Sequence, residues 1–421
     1  MFLKTPPLYR AAAGSAGTGA GPARAPQARK PEPLIYLIAG EPSGDQLGAL
    51  LMRALKTETN GQIRFAGIGG EQMTAEGLIS RVPLSDLAVM GFLEVVPALR
   101  RIRRRLRETV DDIGAQRPDL VLTIDSWGFT GRVQAALTQA AHPALRVHYV
   151  APMVWVWKAG RVRSVAARVH HLLCLWPFEP ALFEAAGVAA THVGHAVVES
   201  GVDRGDGAAF RARHGLADDA LVLAVLPGSR RGEVRRLLPV FRETVARVSV
   251  GHPGMHVVIP TLEHLRAGIE AATADWPVPV TVVGGNEKAD AFKAARAALA
   301  ASGTVSLELA LAGVPHCIAY KVHPLSAALF RRLMARGTRF VNMINILMDR
   351  EIVPELLQEA CQPEILASVV TDLLDSDARR QDQAQGLAAV IDRLRGKGAS
   401  PSQTAARTLL ALLTDTGRSR E

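Results

Sequence analysis

Short apolar runs alternate with stretches of helical periodicity along most of this chain, beginning at residue 34. Apolar runs separated by amphipathic helical patterns are typical of βα units, whose strands form buried parallel sheets. The runs predict strands at 34–39, 63–66, 119–124, 145–150 and 170–175, and again at 221–225, 255–259, 278–283 and 315–320. The sequence therefore predicts an α/β fold with doubly wound parallel sheets.

One interruption divides this pattern into two halves of similar size. Residues 194–218 are rich in Gly, Asp and Ala, a composition typical of an interdomain connection. We therefore expect two domains, at 34–200 and 201–395, that face each other across a cleft. Helical patterns continue from residue 363, and a last helix within 396–421 is expected to cross back onto the first domain.

Residues 1–33 differ in composition from the rest, because Ala, Gly and Pro dominate them. Such a segment buries too little apolar surface to offset the entropy of ordering, so we predict a disordered leader. An organelle transit peptide is the alternative, although the leader has a single Ser and no clear amphipathic helix. No uncharged apolar run approaches the roughly 18–20 residues that span a bilayer, so any membrane contact is expected to be peripheral.

The charge balance favours polyanionic partners. The chain has 49 Lys and Arg against 40 Asp and Glu, a net charge of +9, and the leader's five basic residues and one acid leave +5 for the rest. Nucleic acid, phosphorylated ligands and an anionic membrane all fit such an excess. Cys174, Cys317 and Cys361 lie far apart, and neither they nor the histidines have a metal-ligand spacing, so no metal site is predicted.

Polar residues follow the predicted strands directly, where open parallel sheets bind their ligands. In the first half the strand at 34–39 leads into Glu41, Ser43, Gly44 and Asp45, and the strand at 119–124 leads into Asp125. Glycine and free amides at a helix start suit an anion or a hydroxyl-rich ligand, and a partly shielded carboxylate suits proton abstraction. Helix capping and tight turns are the alternatives for these residues.

The second half has two comparable loops. One carries Gly228, Ser229 and Arg230; the other carries Ser302, Gly303 and Thr304, followed by Glu308 one helical turn later. Backbone amides, hydroxyls and a guanidinium suit a diphosphate, and a carboxylate at that spacing can accept both hydroxyls of a ribose. A capping cluster is the alternative for the second loop.

The segment PALRRIRRRLR at 97–107 predicts a strongly cationic amphipathic helix. A solvated surface helix, an interfacial helix on anionic lipid and a nucleic-acid-binding helix are all compatible with it. The nearly uncharged run LAVMGFLEVVP precedes it, and apolar surface beside cationic surface suits an acylated, phosphorylated ligand.

Taken in order, several blocks resemble the lipid-A-disaccharide synthase family. They are AGEPSGDQLGA at 39–49, GIGG at 67–70, LAVMGFLEV at 87–95, HYVAPMVWVWK at 148–158, VGH at 193–195, LPGSRRGEV at 226–234, ASGTVSLE at 301–308 and NILMDREIVPELLQ at 345–358. The resemblance implies two facing Rossmann-like domains of the GT-B type, with the acceptor and the membrane at 34–200 and the UDP-sugar at 201–395. It also implies an inverting transfer, without metal or cofactor, from UDP-2,3-diacylglucosamine to 2,3-diacylglucosamine 1-phosphate.

The resemblance assigns roles to individual residues. Asp125 would be the general base; Gly228, Ser229 and Arg230 would contact the diphosphate; Ser302, Gly303, Thr304 and Glu308 would contact phosphate and ribose; Asn345 and Glu351 would lie on the nucleotide side; Glu41, Ser43, Gly44 and Asp45 would line the acceptor side; Met90, Phe92, Leu93, Arg100, Arg101, Arg103 and Arg104 would contact lipid. Where the family usually has a second acid after Asp125, this chain has Gly128.

These expectations place the protein peripherally on the cytoplasmic face of a bacterial inner membrane, with no nucleic acid as partner. Another UDP-sugar transferase or a UDP-sugar epimerase on the same scaffold is one alternative. A noncatalytic lipid-binding protein is the other.

Overall fold

Two parallel β-sheets organise the chain, as the alternation of apolar runs predicts. The computed structural model describes residues 32–87, 95–152, 161–321, 339–396 and 398–418. Within these residues each sheet has six strands. The predicted leader lies outside the described residues, apart from its last two positions.

The strands are short, and every pairing within the two sheets is parallel. Their bounds are β1 Leu34–Ala39, β2 Arg64–Ile68, β3 Leu120–Ile124, β4 Leu145–Tyr149, β5 His171–Cys174, β6 Ala189–His192, β7 Val222–Leu226, β8 His256–Pro260, β9 Val280–Val283, β10 Ala297–Ala301, β11 His316–Tyr320 and β12 Glu355–Leu357. The strand order is β2-β1-β3-β4-β5-β6 in the first sheet and β12-β11-β10-β7-β8-β9 in the second.

Helices connect the strands and cover the sheets. Those described are α1 Pro42–Glu58, α2 Glu71–Ala75, α3 Val95–Gln116, α4 Trp127–Gln139, α5 Arg161–Ala166, α6 Glu179–Glu184, α7 Gly207–His214, α8 Arg231–Gly251, α9 Glu263–Thr273, α10 Lys288–Ala294, α11 Val305–Ala312, α12 Met343–Met348, α13 Pro363–Asp375, α14 Asp377–Arg395 and α15 Pro401–Arg418.

The central strands of both sheets are buried on both faces, which is why they read as continuous apolar runs. In the first sheet β1 lies between β2 and β3, and its Ile35 pairs with Phe65 on one side and Leu120 on the other. Leu223 of β7 pairs in the same way with Val257 and Ala297. This burial on both faces leaves the strand ends as the part of each sheet that a ligand can reach.

The last helix packs on the first. Helix α15 lies against α1, and Arg407 of α15 pairs with Glu58 of α1, with 3.0 Å between Nε and Oε1. The carboxylate of Glu199 accepts hydrogen bonds from the N–H (2.9 Å) and the hydroxyl (2.6 Å) of Ser402, in the first turn of α15. The C-terminal end of the chain is thereby held on the first sheet's helices.

Three strands differ from the sequence expectation. The apolar runs do not predict β6, β10 or β12. Alanine fills four of the five positions of β10, and Ala is a weak strand former. Packing decides this element, because β10 is fully buried between β7 and β11, where small side chains fit.

Candidate functional site

Each sheet has one point where the strand order reverses. In the first sheet the chain passes from β1 outward to β2 and then returns to β3 on the other side of β1. In the second sheet it passes from β7 to β8 and β9 and then returns to β10 on the other side of β7. Ligands of open α/β sheets bind beyond the strand ends at such reversal points.

A cavity of about 330 Å³ occupies the reversal point of the second sheet. Its volume lies at the lower end of the range for small-molecule sites. All seven residues expected from the two glycine-hydroxyl loops line it: Gly228, Ser229, Arg230, Ser302, Gly303, Thr304 and Glu308. Residues 74 positions apart in the sequence therefore meet in one cavity because β7 and β10 are neighbours.

The loop between β7 and α8 is shaped to hold a negative charge. The Glu233 carboxylate accepts hydrogen bonds from the backbone N–H of Ser229 (3.2 Å) and of Arg230 (3.3 Å) and from Arg230 Nη1 (3.0 Å). Gly228 has a φ of 119°, and a Cβ at this position would lie 2.7 Å from the Cβ of Glu233. Glycine is therefore required for the loop to close around this carboxylate.

The second loop opens helix α11 and carries the other carboxylate of the cavity. Thr304 occupies the N-cap position without a capping hydrogen bond from its side chain, and Glu308 extends from the first turn of the helix. Lys288 Nζ donates a hydrogen bond of 2.7 Å to Glu308 Oε1, and the two side chains are 29% and 21% exposed. The cavity therefore combines two helix starts with two ion pairs, an arrangement that suits a phosphorylated, hydroxyl-bearing ligand.

The sequence expectations did not include Glu233, Thr261, Leu262 or Lys288, which also line the cavity. Thr261 and Leu262 follow β8 directly, and Lys288 follows β9 after the segment GGNE. The strand-end rule that pointed to the other loops therefore applies to these positions as well.

Asp125 stands at the reversal point of the first sheet, directly after β3. Burial raises the pKa of its carboxyl, the Ser126 N–H bonded to Oδ1 at 2.7 Å opposes the rise, and the charge of Glu41 adds to it. Asp125 and Ser126 both have left-handed backbones, with φ of 52° and 46°. Consecutive left-handed non-glycine residues are strained, and such strain concentrates at functional sites.

The loop after β1 packs against this strained turn. A Cβ at Gly40 would lie 2.4 Å from the Cβ of Ser126, so only glycine permits the approach. Glu41 and Ser43 are exposed beside it. Glu41 lies near enough to Asp125 for its charge to raise the pKa of the Asp125 carboxyl.

The expected cleft roles of Gly44 and Asp45 need correction, because both residues are buried. Asp45 is 4% exposed, and its carboxylate accepts the backbone N–H of Gly70 (2.7 Å), Gln72 (3.0 Å) and Met73 (3.0 Å). These bonds cap the start of α2. A carboxylate with three backbone donors and almost no exposure serves the fold and does not reach a ligand.

The family model and the relatives of similar sequence agree on one family. The sequence model of lipid-A-disaccharide synthetase matches residues 35–408. The lipid-A-disaccharide synthase of Paramagnetospirillum magneticum is 50% identical over 377 residues, covering 90% of this chain and 97% of that protein. The chain belongs to the lipid-A-disaccharide synthase family. The Rhodospirillum centenum lipid-A-disaccharide synthase is 49% identical, with 90% of this chain and 95% of that protein covered.

Solved structures show the same fold at low sequence identity. A UDP-GlcNAc 2-epimerase from Neisseria meningitidis has a TM-score of 0.62 at 11% identity, covering 90% of this chain and 99% of its own. MurG from Acinetobacter baumannii has a TM-score of 0.53 at 14% identity, covering 90% and 100%. The prediction of two Rossmann-like sheets with the GT-B architecture is confirmed.

Of the two residues that the family resemblance placed on the nucleotide side, one has all its side-chain polar atoms engaged inside the protein. Asn345 is fully buried: its Nδ2 donates to the Val353 carbonyl and to Glu355, and its Oδ1 accepts from the N–H of Ile352 and of Val353. Its polar atoms are therefore engaged in ordering the 345–355 loop, which corrects the expected ligand contact. Glu351 is exposed and does not line the cavity formed by the described residues.

The basic helix α3 is amphipathic, and its apolar side faces the protein. Ile102, Leu106 and Val110 pack against the core cluster that contains the buried Ile113. Insertion of this stripe into a bilayer would remove it from the core, so the interfacial-helix alternative does not hold for residues 100–116.

The arginines of α3 differ in how strongly neighbouring carboxylates hold them. Arg105 is held by Asp86 and by Glu108, at 2.5 and 2.7 Å. The four arginines that were expected to contact lipid are exposed: Arg100, Arg101, Arg103 and Arg104. Met90, Phe92 and Leu93, the apolar members of that group, lie outside the described residues.

Within the described ranges, no group of three or more His, Cys, Asp or Glu side chains is arranged to hold a metal ion. In the same part of the chain, no helix has both the length and the apolar composition that crossing a membrane requires.

Proposed function

We propose that this chain transfers 2,3-diacylglucosamine from UDP to 2,3-diacylglucosamine 1-phosphate, forming the lipid A disaccharide 1-phosphate and UDP. Membership of the lipid-A-disaccharide synthase family supports the reaction. The observation that supports the assignment to a site is the cavity between β7 and β10, where the two glycine-hydroxyl loops meet.

The UDP group binds in this cavity. Gly228, Ser229 and Arg230 contact the diphosphate with two backbone amides and a guanidinium, and the loop at 302–304 presents the start of α11 to the phosphate. Glu308 accepts hydrogen bonds from the ribose. In this arrangement Glu233, which now accepts the amides of the first loop, gives them up to the diphosphate.

Asp125 acts as general base from the first sheet. It takes the proton of the acceptor's 6-hydroxyl while that oxygen forms a bond to the anomeric carbon and the bond from this carbon to the UDP oxygen breaks. The configuration inverts, and the charge released on UDP is stabilised by Arg230 and the loop amides. A carboxylate whose pKa is raised by burial is a stronger base than one in water.

The division into an acceptor half at 34–200 and a nucleotide half at 201–395 follows the two sheets and remains part of this proposal. The acylated substrates are held at an anionic membrane surface on the cytoplasmic side, and the exposed arginines of α3 supply the attraction. Contact through arginines alone is peripheral and sensitive to salt.

Incubation of the purified protein with both lipid substrates, with and without a chelator, tests this reaction. Equal yields of disaccharide and UDP, unchanged by the chelator, are expected. Neither product in the complete mixture would refute the proposal. UDP-sugar epimerisation without acceptor would favour the alternative enzyme class, and loss of activity with chelator would refute the metal-independent mechanism.

A further inference from the structure

Lys288 is the cation of the cavity lining that neither the sequence expectations nor the family resemblance assigns. It is the first residue of α10 and follows the 3₁₀ turn Gly285–Glu287. A cation at the start of a helix is electrostatically unfavourable, because the exposed N–H groups there are already positive. Helix formation alone therefore gives no reason for a lysine at this position.

The contact that explains Lys288 is the one with Glu308. One Nζ hydrogen is directed to Oε1 at 2.7 Å, and both side chains are more than two-thirds buried. Among the described residues, no donor contacts Oε2 of Glu308, so this second oxygen is available to a ligand in the cavity. Lys288 thus fixes one oxygen of the carboxylate and leaves the other to accept hydrogen bonds.

The charges of the cavity make this pairing important for an anionic ligand. Its charged lining residues are Arg230, Glu233, Lys288 and Glu308, which form two ion pairs. An unpaired Glu308 would repel a diphosphate through a low-dielectric cavity and would be free to turn away from the ligand. When Lys288 pairs with Glu308 and fixes its orientation, the carboxylate can accept hydrogen bonds from the ribose hydroxyls.

We propose that Lys288 is a positioning residue, which holds Oε1 of Glu308 so that Oε2 accepts hydrogen bonds from the ribose hydroxyls of the nucleotide. This inference rests on the proposed UDP site and adds a determinant of ribose recognition to it. It assigns Lys288 no direct contact with the phosphates.

Calorimetric titration with UDP and with 2′,3′-dideoxy-UDP tests the proposal, because the ratio of the two affinities reports on ribose recognition. The wild-type protein should prefer UDP by about tenfold or more, as expected for hydrogen bonds to a charged acceptor. In Lys288→Met and in Glu308→Gln the preference should fall to about threefold or less. Lys288→Arg should retain most of it, because a guanidinium can also bond Oε1.

Lys293→Met is the matched control, since Lys293 lies on the same helix but donates to the carbonyl of Ala312, outside the cavity lining. It should leave both affinities unchanged. If Lys288→Met weakens UDP and the dideoxy analogue equally, Lys288 contacts the phosphates and the inference is wrong. A wild-type protein that binds both ligands equally overturns it too, whereas one that binds neither overturns the proposed UDP site itself.

Discussion

At the scale of single residues, the decisive feature is that the surroundings of Asp125 disfavour the charged form of its carboxyl group. Asp125 is largely buried, has a left-handed backbone, and shares its surroundings with the negative charge of Glu41. Its carboxyl therefore has a raised pKa, which favours proton abstraction and opposes ionisation in the folded state. Function and stability make opposite demands on this residue.

We expect Asp125→Asn to lower turnover by roughly 10² to 10⁴-fold, because the amide cannot accept the 6-hydroxyl proton. UDP affinity should stay nearly unchanged, since UDP binds at the other sheet. A kinetic assay and a calorimetric titration on the same preparation measure the two effects, and near-normal turnover would contradict the role of Asp125 as base.

The Asp125→Asn variant should also change how the melting temperature depends on pH. Because the folded-state pKa of Asp125 lies above its unfolded value, its contribution is most favourable at low pH and is lost as the pH rises through the folded pKa. Asp125→Asn should therefore melt at a higher temperature than the wild type at pH 7, with the difference shrinking towards pH 4. A turnover loss caused by misfolding would instead be accompanied by a lower melting temperature.

At the scale of elements, helix α3 shows how one sequence pattern serves two surfaces. Ile102, Leu106 and Val110 give it a core face, and the exposed arginines give it a cationic outer face. Arg105 belongs to neither, because it pairs with Glu108 of α3 itself and with Asp86, and the second pair ties the helix to the preceding turn Leu84–Asp86. Any membrane attraction by α3 therefore comes from the outer face.

Replacing Arg100, Arg101, Arg103 and Arg104 together by Gln should weaken binding to vesicles rich in anionic lipid by at least tenfold. Each basic residue near such a surface contributes about 1 kcal/mol at low salt. Cosedimentation with anionic and with zwitterionic vesicles, at two salt concentrations, measures the effect. The fourfold Lys variant keeps the charge and should bind like the wild type; equal binding by the Gln variant would exclude this face as the attachment site.

Apolar runs in the sequence predict some strands closely and miss others. The apolar runs at 34–39 and 119–124 became β1 and β3 with at most one residue of difference, since both strands are buried on two faces. The Ala-rich β10 could not be predicted in this way, because its conformation follows from the gap between β7 and β11. Packing against neighbours outweighs propensity in such a strand.

At the scale of the whole molecule, buried histidines make the fold sensitive to acid. Burial lowers the pKa of His148 to about 3 and that of His195 and His316 to about 4. His316 is held between the carbonyl of Val314 and the hydroxyl of Ser306, which implies that Nδ1 carries the proton and Nε2 accepts. All three are therefore neutral in the folded protein at pH 7.

We expect the free energy of unfolding to fall as the pH drops from about 6.5 towards 4. Over this range the histidines of the unfolded chain become protonated, whereas the three buried histidines of the folded protein stay neutral. His195→Asn keeps an acceptor for the Val197 N–H and removes the titrating imidazole. Between pH 6.5 and 4.5 the free energy of unfolding of this variant should therefore fall by about 2 kcal/mol less than that of the wild type. Urea unfolding at several pH values measures the slope. His264→Asn at an exposed position is the control, and an unchanged slope in His195→Asn would contradict the expectation.

The sequence alone was sufficient for parallel sheets and for the two glycine-hydroxyl loops, because buried strands and strand-end loops leave local patterns of apolar and polar residues. It also pointed to Asp125 as the base, and that role stays a prediction. The tertiary structure decided which of those loops meet. It brought Lys288 to Glu308 and Glu41 near Asp125, and it turned Asp45 and Asn345 into buried hydrogen-bonding residues. The reason is physical: a side chain's partners depend on strand order and on burial, and neither is encoded in the neighbouring residues of the chain.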